Sequence, residues 1–166
     1  MASTPRPSAW RVDQKKWASS SFSGFGAAQS GGRWNSKGVA VVYASEHLAM
    51  AAMEKFVHLP KPIPERSRFV RFRLDFGKLP ITWIAASVLP QGWDDEPLSR
   101  PTQLQGDAWV LGLKTAILAV PSVLYPEETN FVLNPAHPDF ARIKVSAPEP
   151  FSFDPRMARL QDVAES

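Results

Sequence analysis

Along this chain, apolar residues recur at every second position in several short runs and at helical spacing in two longer ones, while one extended segment shows neither period. Ser8 to Val12 (Ser-Ala-Trp-Arg-Val) has the make-up of a short first strand. Ala18 to Gly38 then loses all periodicity and holds five of the nine glycines, so it reads as a loop. A long Gly-rich loop in a compact domain often shapes a binding site. Val39-Ala40-Val41-Val42-Tyr43 is an apolar run of strand length, and Ser45 offers an N-cap for a helix reaching Val57 or His58. Within that helix Leu48, Ala52, Met53 and Phe56 share one side. His47, Ala51, Glu54 and His58 fall on the opposite stripe, which keeps Glu54 off the expected core face.

Lys61 to Pro64 interrupts the chain with prolines, after which Val70, Phe72, Leu74 and Phe76 alternate with Arg71, Arg73 and Asp75 as in a half-buried strand. Ile81 to Ile84 continues the sheet, and Gln91 to Pro97 reads as a surface loop. Pro101 suits the first position of a helix over Thr102 to Leu113, and a strand from Ala116 to Val120 should stop at Pro121. Asn130 to Leu133 and Ala141 to Val145 read as two further strands. The tail beyond Pro148 is punctuated by proline before a short helix over Pro155 to Ala164, with Met157, Leu160 and Val163 on one side. Many short strands with two substantial helices favour a mixed, sheet-rich α+β single domain over a doubly wound sheet.

Composition narrows the function. With 166 residues, 44% of them apolar and 21% charged, one globular core is expected. The absence of cysteine removes disulfides, thiolate metal sites and cysteine nucleophiles, and leaves a cytoplasmic location as the default. No apolar run approaches the ~18 residues of a membrane span, and the first seven residues lack the apolar stretch of a signal peptide. A net charge of +3 is spread thinly, apart from Lys15-Lys16 and the series Arg66, Arg68, Arg71 and Arg73. A nucleic-acid footprint is normally denser.

The glycine segment fails as a phosphate cradle of either standard kind. Gln29 stands where a dinucleotide fingerprint needs its third glycine, and no Lys-Ser/Thr follows Gly31-Gly32 as a P-loop requires. It does present Arg33 beside Trp34 and Asn35, and arginine binds phosphate in a bidentate manner. Taken singly, each candidate has a plainer reading. Arg33 could be a surface arginine beside a packed tryptophan, Tyr43 an aromatic at a sheet edge, and Glu54 a solvated carboxylate. His47, Glu54 and His58 match no standard zinc spacing. Ser122 lacks a nucleophile elbow, and Asp94-Asp95-Glu96 reads as a solvated acidic loop.

Their order is more informative than any of them alone. Gly32-Arg33-Trp34-Asn35, Gly38, Val42-Tyr43-Ala44-Ser45 and Ala52-Met53-Glu54 resemble the core signature of the RES-domain family. Val120-Pro121-Ser122, Glu128, Asn130, Leu133-Asn134-Pro135 and His137-Pro138-Asp139-Phe140 resemble its C-terminal half. The Arg, Glu and Ser for which the family is named fall on Arg33, Glu54 and Ser122, and the likeness runs from about Trp10 to Ile143.

The resemblance implies a toxin of a type II toxin–antitoxin pair with a fold similar to ADP-ribosyltransferases, short strands and flanking helices surrounding an NAD cleft. It implies cleavage of NAD+ at the nicotinamide–ribose bond, with ADP-ribose passed to water, to phosphate as co-substrate, or to a protein. NAD+ is then substrate, and no separate cofactor or metal is called for. The implied roles are Glu54 at the ribose hydroxyls and developing cation, Arg33 at the pyrophosphate, and Tyr43 at the nicotinamide or its ribose. Ser122, Asn130, Asn35 and Trp34 complete the binding wall. A helix-turn-helix antitoxin is the implied partner and the only route to nucleic acid, and a homodimer is compatible. The catalytic domain is placed at residues 8–146, between an N-terminal tail (1–7) and a C-terminal extension (147–166). Two other readings remain: an ADP-ribosyltransferase directed at one cellular protein, and a binding module without turnover.

Overall fold

A computed structural model describes residues 7–60, 62–64 and 67–159. Residues 1–6, Lys61, Arg66, and Leu160 and Val163 of the expected last helix lie outside them. The elements in chain order are β1 (Ser8–Gln14), α1 (Phe25–Ser30), β2 (Val42–Ser45), α2 (Leu48–Val57), β3 (Phe69–Asp75) and β4 (Ile81–Trp83). There follow α3 (Arg100–Gly112), β5 (Ile117–Pro121), β6 (Thr129–Leu133), β7 (Lys144–Val145), β8 (Glu149–Phe151) and α4 (Pro155–Arg159). The strands form one sheet in the order β4-β5-β6-β2-β1-β3-β7, with β8 also on β3. All pairings are antiparallel except β4 with β5, giving a mixed α+β domain.

Because strand side chains alternate, the registers sort the residues onto two faces. Val42 opposite Leu133, Ala44 opposite Phe131 and Ala9 opposite Leu74 point to one face, where they join Phe72, Phe76 and Ile117 in the largest core cluster. Phe76 meets Phe131 edge to face there, with ring centroids 5.0 Å apart. The other face carries two clusters. Leu118, Val120 and Val132 pack under Trp34, Trp93 and Trp109, while Val12 and Phe69 pack under Ala51 of α2 and Leu59.

Several sequence expectations are corrected. The Ala18–Gly38 segment contains the end of a 3-10 turn (Lys15–Ser20) and the six-residue α1. That helix is bounded by Gly24 and Gly31 at φ 75° and 71°, and is too short to show a period. Ser45 belongs to β2 rather than capping α2, which begins after His47 with no side-chain cap. The stripes on α2 are redistributed: Met50 and Ala51 are buried and Glu54 is half-buried, because the helix lies against β1 through Ala51. Residues 138–142 form a 3-10 turn, so only Lys144–Val145 of the expected Ala141–Val145 strand pairs. His137 opens that turn by accepting the Asp139 N–H on Nδ1 at 3.0 Å. In the proline-punctuated tail, Glu149–Phe151 pairs with β3, and Phe153 packs edge to face on Phe69.

Two polar or steric constraints fix the layers. Asp13 is buried and takes Arg11 Nη2 at 2.9 Å, Lys55 Nζ at 2.9 Å and Ser21 Oγ at 2.7 Å, tying β1 to α2 and to the 3-10 turn. Burial pushes the Asp13 carboxyl up, but the Arg11 and Lys55 charges and the hydrogen bonds outweigh it and leave the group below the usual carboxylate range. Gly106, buried in the middle of α3, lies so close to the Trp34 carbonyl that an added Cβ would overlap it.

Gly106→Ala should therefore destabilise the protein by about 2 kcal/mol in urea unfolding, even though alanine is the better helix former. The Asp13 contribution is present above the unfolded carboxylate value of about 3.9 and is lost as pH falls through the lower folded value. Asp13→Asn should cost roughly 3 kcal/mol at pH 7 and flatten the acid limb of the stability profile.

Candidate active site

At the end of the second face, where β2, β5 and β6 run out, the apolar pattern gives way to polar residues. Ser45 opposes Asn130, Asn130 opposes Val120, and Ser122 follows Pro121, the last residue of β5. Glu54 of α2 reaches this corner. Ser122 Oγ donates to Glu54 Oε1 at 2.8 Å and Asn130 Nδ2 donates to the same oxygen at 2.6 Å. Asn130 is oriented in turn, since its Oδ1 accepts from Ser45 Oγ at 2.7 Å and the amide nitrogen is left to face Glu54. Ser122 Oγ also accepts the Leu124 N–H at 3.1 Å, so one hydroxyl holds both the carboxylate and the turn behind it. Both side-chain donors fall on Oε1, so the carboxylate is anchored through a single oxygen.

Tyr43, two residues before Ser45, shares its face of β2 and leads toward the glycine segment. Its hydroxyl donates to Asn35 Oδ1 at 2.7 Å and accepts the Trp34 N–H at 3.1 Å. Asn35 is wholly buried, its amide nitrogen donating to the carbonyls of Ala27, Ser36 and Val39. This closeness requires Gly32, where a Cβ would stand 2.7 Å from the tyrosine oxygen and 2.8 Å from Asn35 Oδ1. Burial pushes the Tyr43 hydroxyl well above its usual range, with Asp107 and Glu54 adding and the Trp34 N–H and Arg33 opposing. The phenol is a neutral donor at physiological pH, and it feels the charges of both Arg33 and Glu54.

Arg33 is turned inward. Its Nη1 donates to the carbonyls of Trp93 at 2.9 Å and Asp95 at 2.7 Å, and its Nη2 meets Glu96 Oε1 at 2.9 Å. Next to the Glu54 corner, His47, Met50, Met53, Tyr125 and Glu128 line an open depression of about 690 Å3. His47 Nδ1 lies 2.7 Å from Glu128 Oε2, and that hydrogen bond raises the imidazole above its ordinary value.

Two groups of the sequence-derived residues are thus assembled, Glu54 with Ser122 and Asn130, and Tyr43 with Asn35 and Trp34, while the Arg33 guanidinium is held apart from both by Trp93, Asp95 and Glu96. Trp34 and Asn35, expected in the binding wall, are enclosed in the protein at 3% and 0% exposure. Their side chains hold Tyr43 and the second core cluster rather than presenting a surface. Sequence reading missed Ser45, taken for a helix cap, and Glu96, taken for a solvated loop acid. A contact between positions 63 residues apart leaves no spacing signal. Gln103 was missed for the same reason; its Nε2 donates to the Gly32 carbonyl at 3.0 Å and steadies the arginine's backbone from α3.

The RES domain family profile matches residues 8–154. The chain is 41% identical over 154 residues to the Prs ADP-ribosylating toxin of Sphingobium sp. (strain YBL2), a match covering 90% of this chain and 96% of that protein. It is 32% identical over 149 residues to Toxin Res of Yersinia enterocolitica, covering 89% and 97%. Among solved structures, a chain of the M. tuberculosis MbcT-MbcA toxin-antitoxin complex superposes with a TM-score of 0.70 at 14% identity, over 96% of this chain and 90% of that one.

Removing the phenolic oxygen isolates its part in this assembly. Tyr43→Phe leaves Asn35 Oδ1 and the Trp34 N–H without their partner, and should cost about 1 to 3 kcal/mol in chemical denaturation.

Proposed function

This chain belongs to the RES domain family, and from that membership we propose that it acts as the toxin of a toxin–antitoxin pair by cleaving the nicotinamide–ribose bond of NAD+. The observation that carries the reading is the Glu54 carboxylate, fixed through one oxygen by Ser122 and Asn130 at the strand ends. In NAD+ the leaving nitrogen is already cationic. When the N-glycosidic bond breaks, nicotinamide departs with the bonding pair as a neutral molecule, and positive charge develops on the ribose C1 and ring oxygen. A carboxylate held in place before the reaction stabilises that charge without reorganising. Glu54 supplies it through Oε2 and can accept from the ribose hydroxyls. The acceptor then attacks C1, forming the new bond to ADP-ribose, and a protonated acceptor loses its proton to Glu54 or to solvent.

Arg33 is the proposed partner of the pyrophosphate, because a guanidinium suits bidentate phosphate binding. Tyr43, which feels both charges, is the proposed wall against the nicotinamide ribose. Asn35, Trp34 and Gly32 act through Tyr43 as positioning residues. Water, phosphate and a protein side chain are all competent acceptors, and the name of the Sphingobium relative favours a protein. An antitoxin, expected to carry a helix-turn-helix, is the proposed partner, supported by the fold shared with a toxin solved together with its antitoxin.

Purified protein should consume NAD+, and Glu54→Gln should lower kcat by about 10²-fold or more. NAD+ labelled in its ADP-ribose part identifies the acceptor: free ADP-ribose marks water, its 1″-phosphate marks phosphate, and label fixed to protein marks a transferase. Unchanged turnover in Glu54→Gln would remove the assignment, and ligand binding without turnover would favour a binding module.

A further inference from the structure

Arg33 is bound by three groups of very different exposure to water. Trp93, whose carbonyl takes one Nη1 hydrogen, is itself buried in the second core cluster. Successive turns, with Trp93 N–H to the Pro90 carbonyl at 3.1 Å and Asp95 N–H to the Gly92 carbonyl at 3.2 Å, fix the loop that carries the second acceptor, the Asp95 carbonyl. These two backbone bonds orient the guanidinium plane. The third partner differs: the Glu96 side chain is 75% exposed, against 9% for Arg33, and meets the arginine only through Oε1 on Nη2. A nearly buried cation is therefore completed by an anion that water surrounds on most sides.

Resting on the reading of Arg33 as the pyrophosphate seat, we propose that Glu96 is a built-in competitor that occupies this seat until a phosphate-bearing ligand replaces it, and so selects for ligands with phosphate. The exchange needs no loop movement, since the two carbonyl bonds to Nη1 can persist while the glutamate side chain rotates into solvent. Only the glutamate half of the pair is exposed, so its carboxylate is already largely solvated and regains side-chain freedom when the pair opens. A pyrophosphate brings more charge and more acceptor oxygens than one carboxylate oxygen. A nucleoside without phosphate cannot make the exchange, and Arg33 stays paired with Glu96.

Glu96→Gln tests this by calorimetric titration with ADP-ribose and with adenosine, alongside NAD+ kinetics. The expected result is ADP-ribose bound about two- to fivefold more tightly, the size expected when a largely solvated carboxylate no longer competes, with adenosine affinity unchanged. KM for NAD+ should fall by a similar factor at constant kcat. Glu96→Ala should behave alike, which separates loss of the charge from any new contact of the amide. If wild-type protein turns over NAD+ but Glu96→Gln binds ADP-ribose no more tightly, the competitor is overturned while the proposed function stands. Equal tightening for adenosine would mean a change in the loop as a whole and would also overturn it. If neither protein binds ADP-ribose, the pyrophosphate seat on Arg33 falls and the competitor with it.

Discussion

A carboxylate half-withdrawn from water at the meeting of two apolar clusters has to be given hydrogen-bond donors, and that requirement organises this fold. Glu54 sits where the cluster under Trp34 and Trp93 ends and the one under α2 begins. Its donors come from the end of β5 and from β6, and Asn130 is aimed by Ser45 on β2. Helix α2 is thereby keyed to three strands through one oxygen atom. The Lys55 to Asp13 pair, one residue further along the same helix, keys it to β1 as well. With both bonds in place the helix can neither rotate nor slide without leaving a buried polar group alone, which is costlier than the bonds are favourable.

That dependence explains which parts of the structure were legible in the sequence. From Val70 to Phe76 the chain alternates cleanly because Val70, Phe72, Leu74 and Phe76 meet the core while Arg71 and Arg73 do not, and α3 announces itself through Pro101. The sheet's order was not legible: β1 lies between β2 and β3, and β4 runs parallel to β5, through pairings that no local pattern records. The stripes of α2 misled for a related reason. A helix over a sheet corner has a core side and a polar-network side next to each other, so Ala51 is buried while Glu54, three positions on, turns toward hydrogen-bond donors.

The candidate site followed the same division. Order along the chain linked Arg33, Tyr43, Glu54, Ser122 and Asn130, and the structure hydrogen-bonds Glu54 to Ser122 and Asn130 while Tyr43 and Arg33 are each held by partners of their own. What order could not convey was that Trp34 and Asn35 face inward, or that a loop acid such as Glu96 completes the arginine. Residues that contact a ligand and residues that hold those residues are equally polar and lie equally close in sequence. The hydrogen bonds a side chain already makes distinguish them, as for Asn35, whose amide is wholly committed to backbone carbonyls.

The outer edge of β3 is covered along much of its length by two short segments, β8 against Phe69–Arg71 and β7 against Leu74–Asp75, and the opposite margin of the sheet is the three-residue β4. Margins this brief, one of them interrupted by Pro150, offer another chain little backbone on which to lay down an added strand. A protein that recognises this one is therefore steered away from main-chain zippering. It must read side chains and surface shape, so its specificity can be altered by point substitutions on either surface without disturbing the sheet.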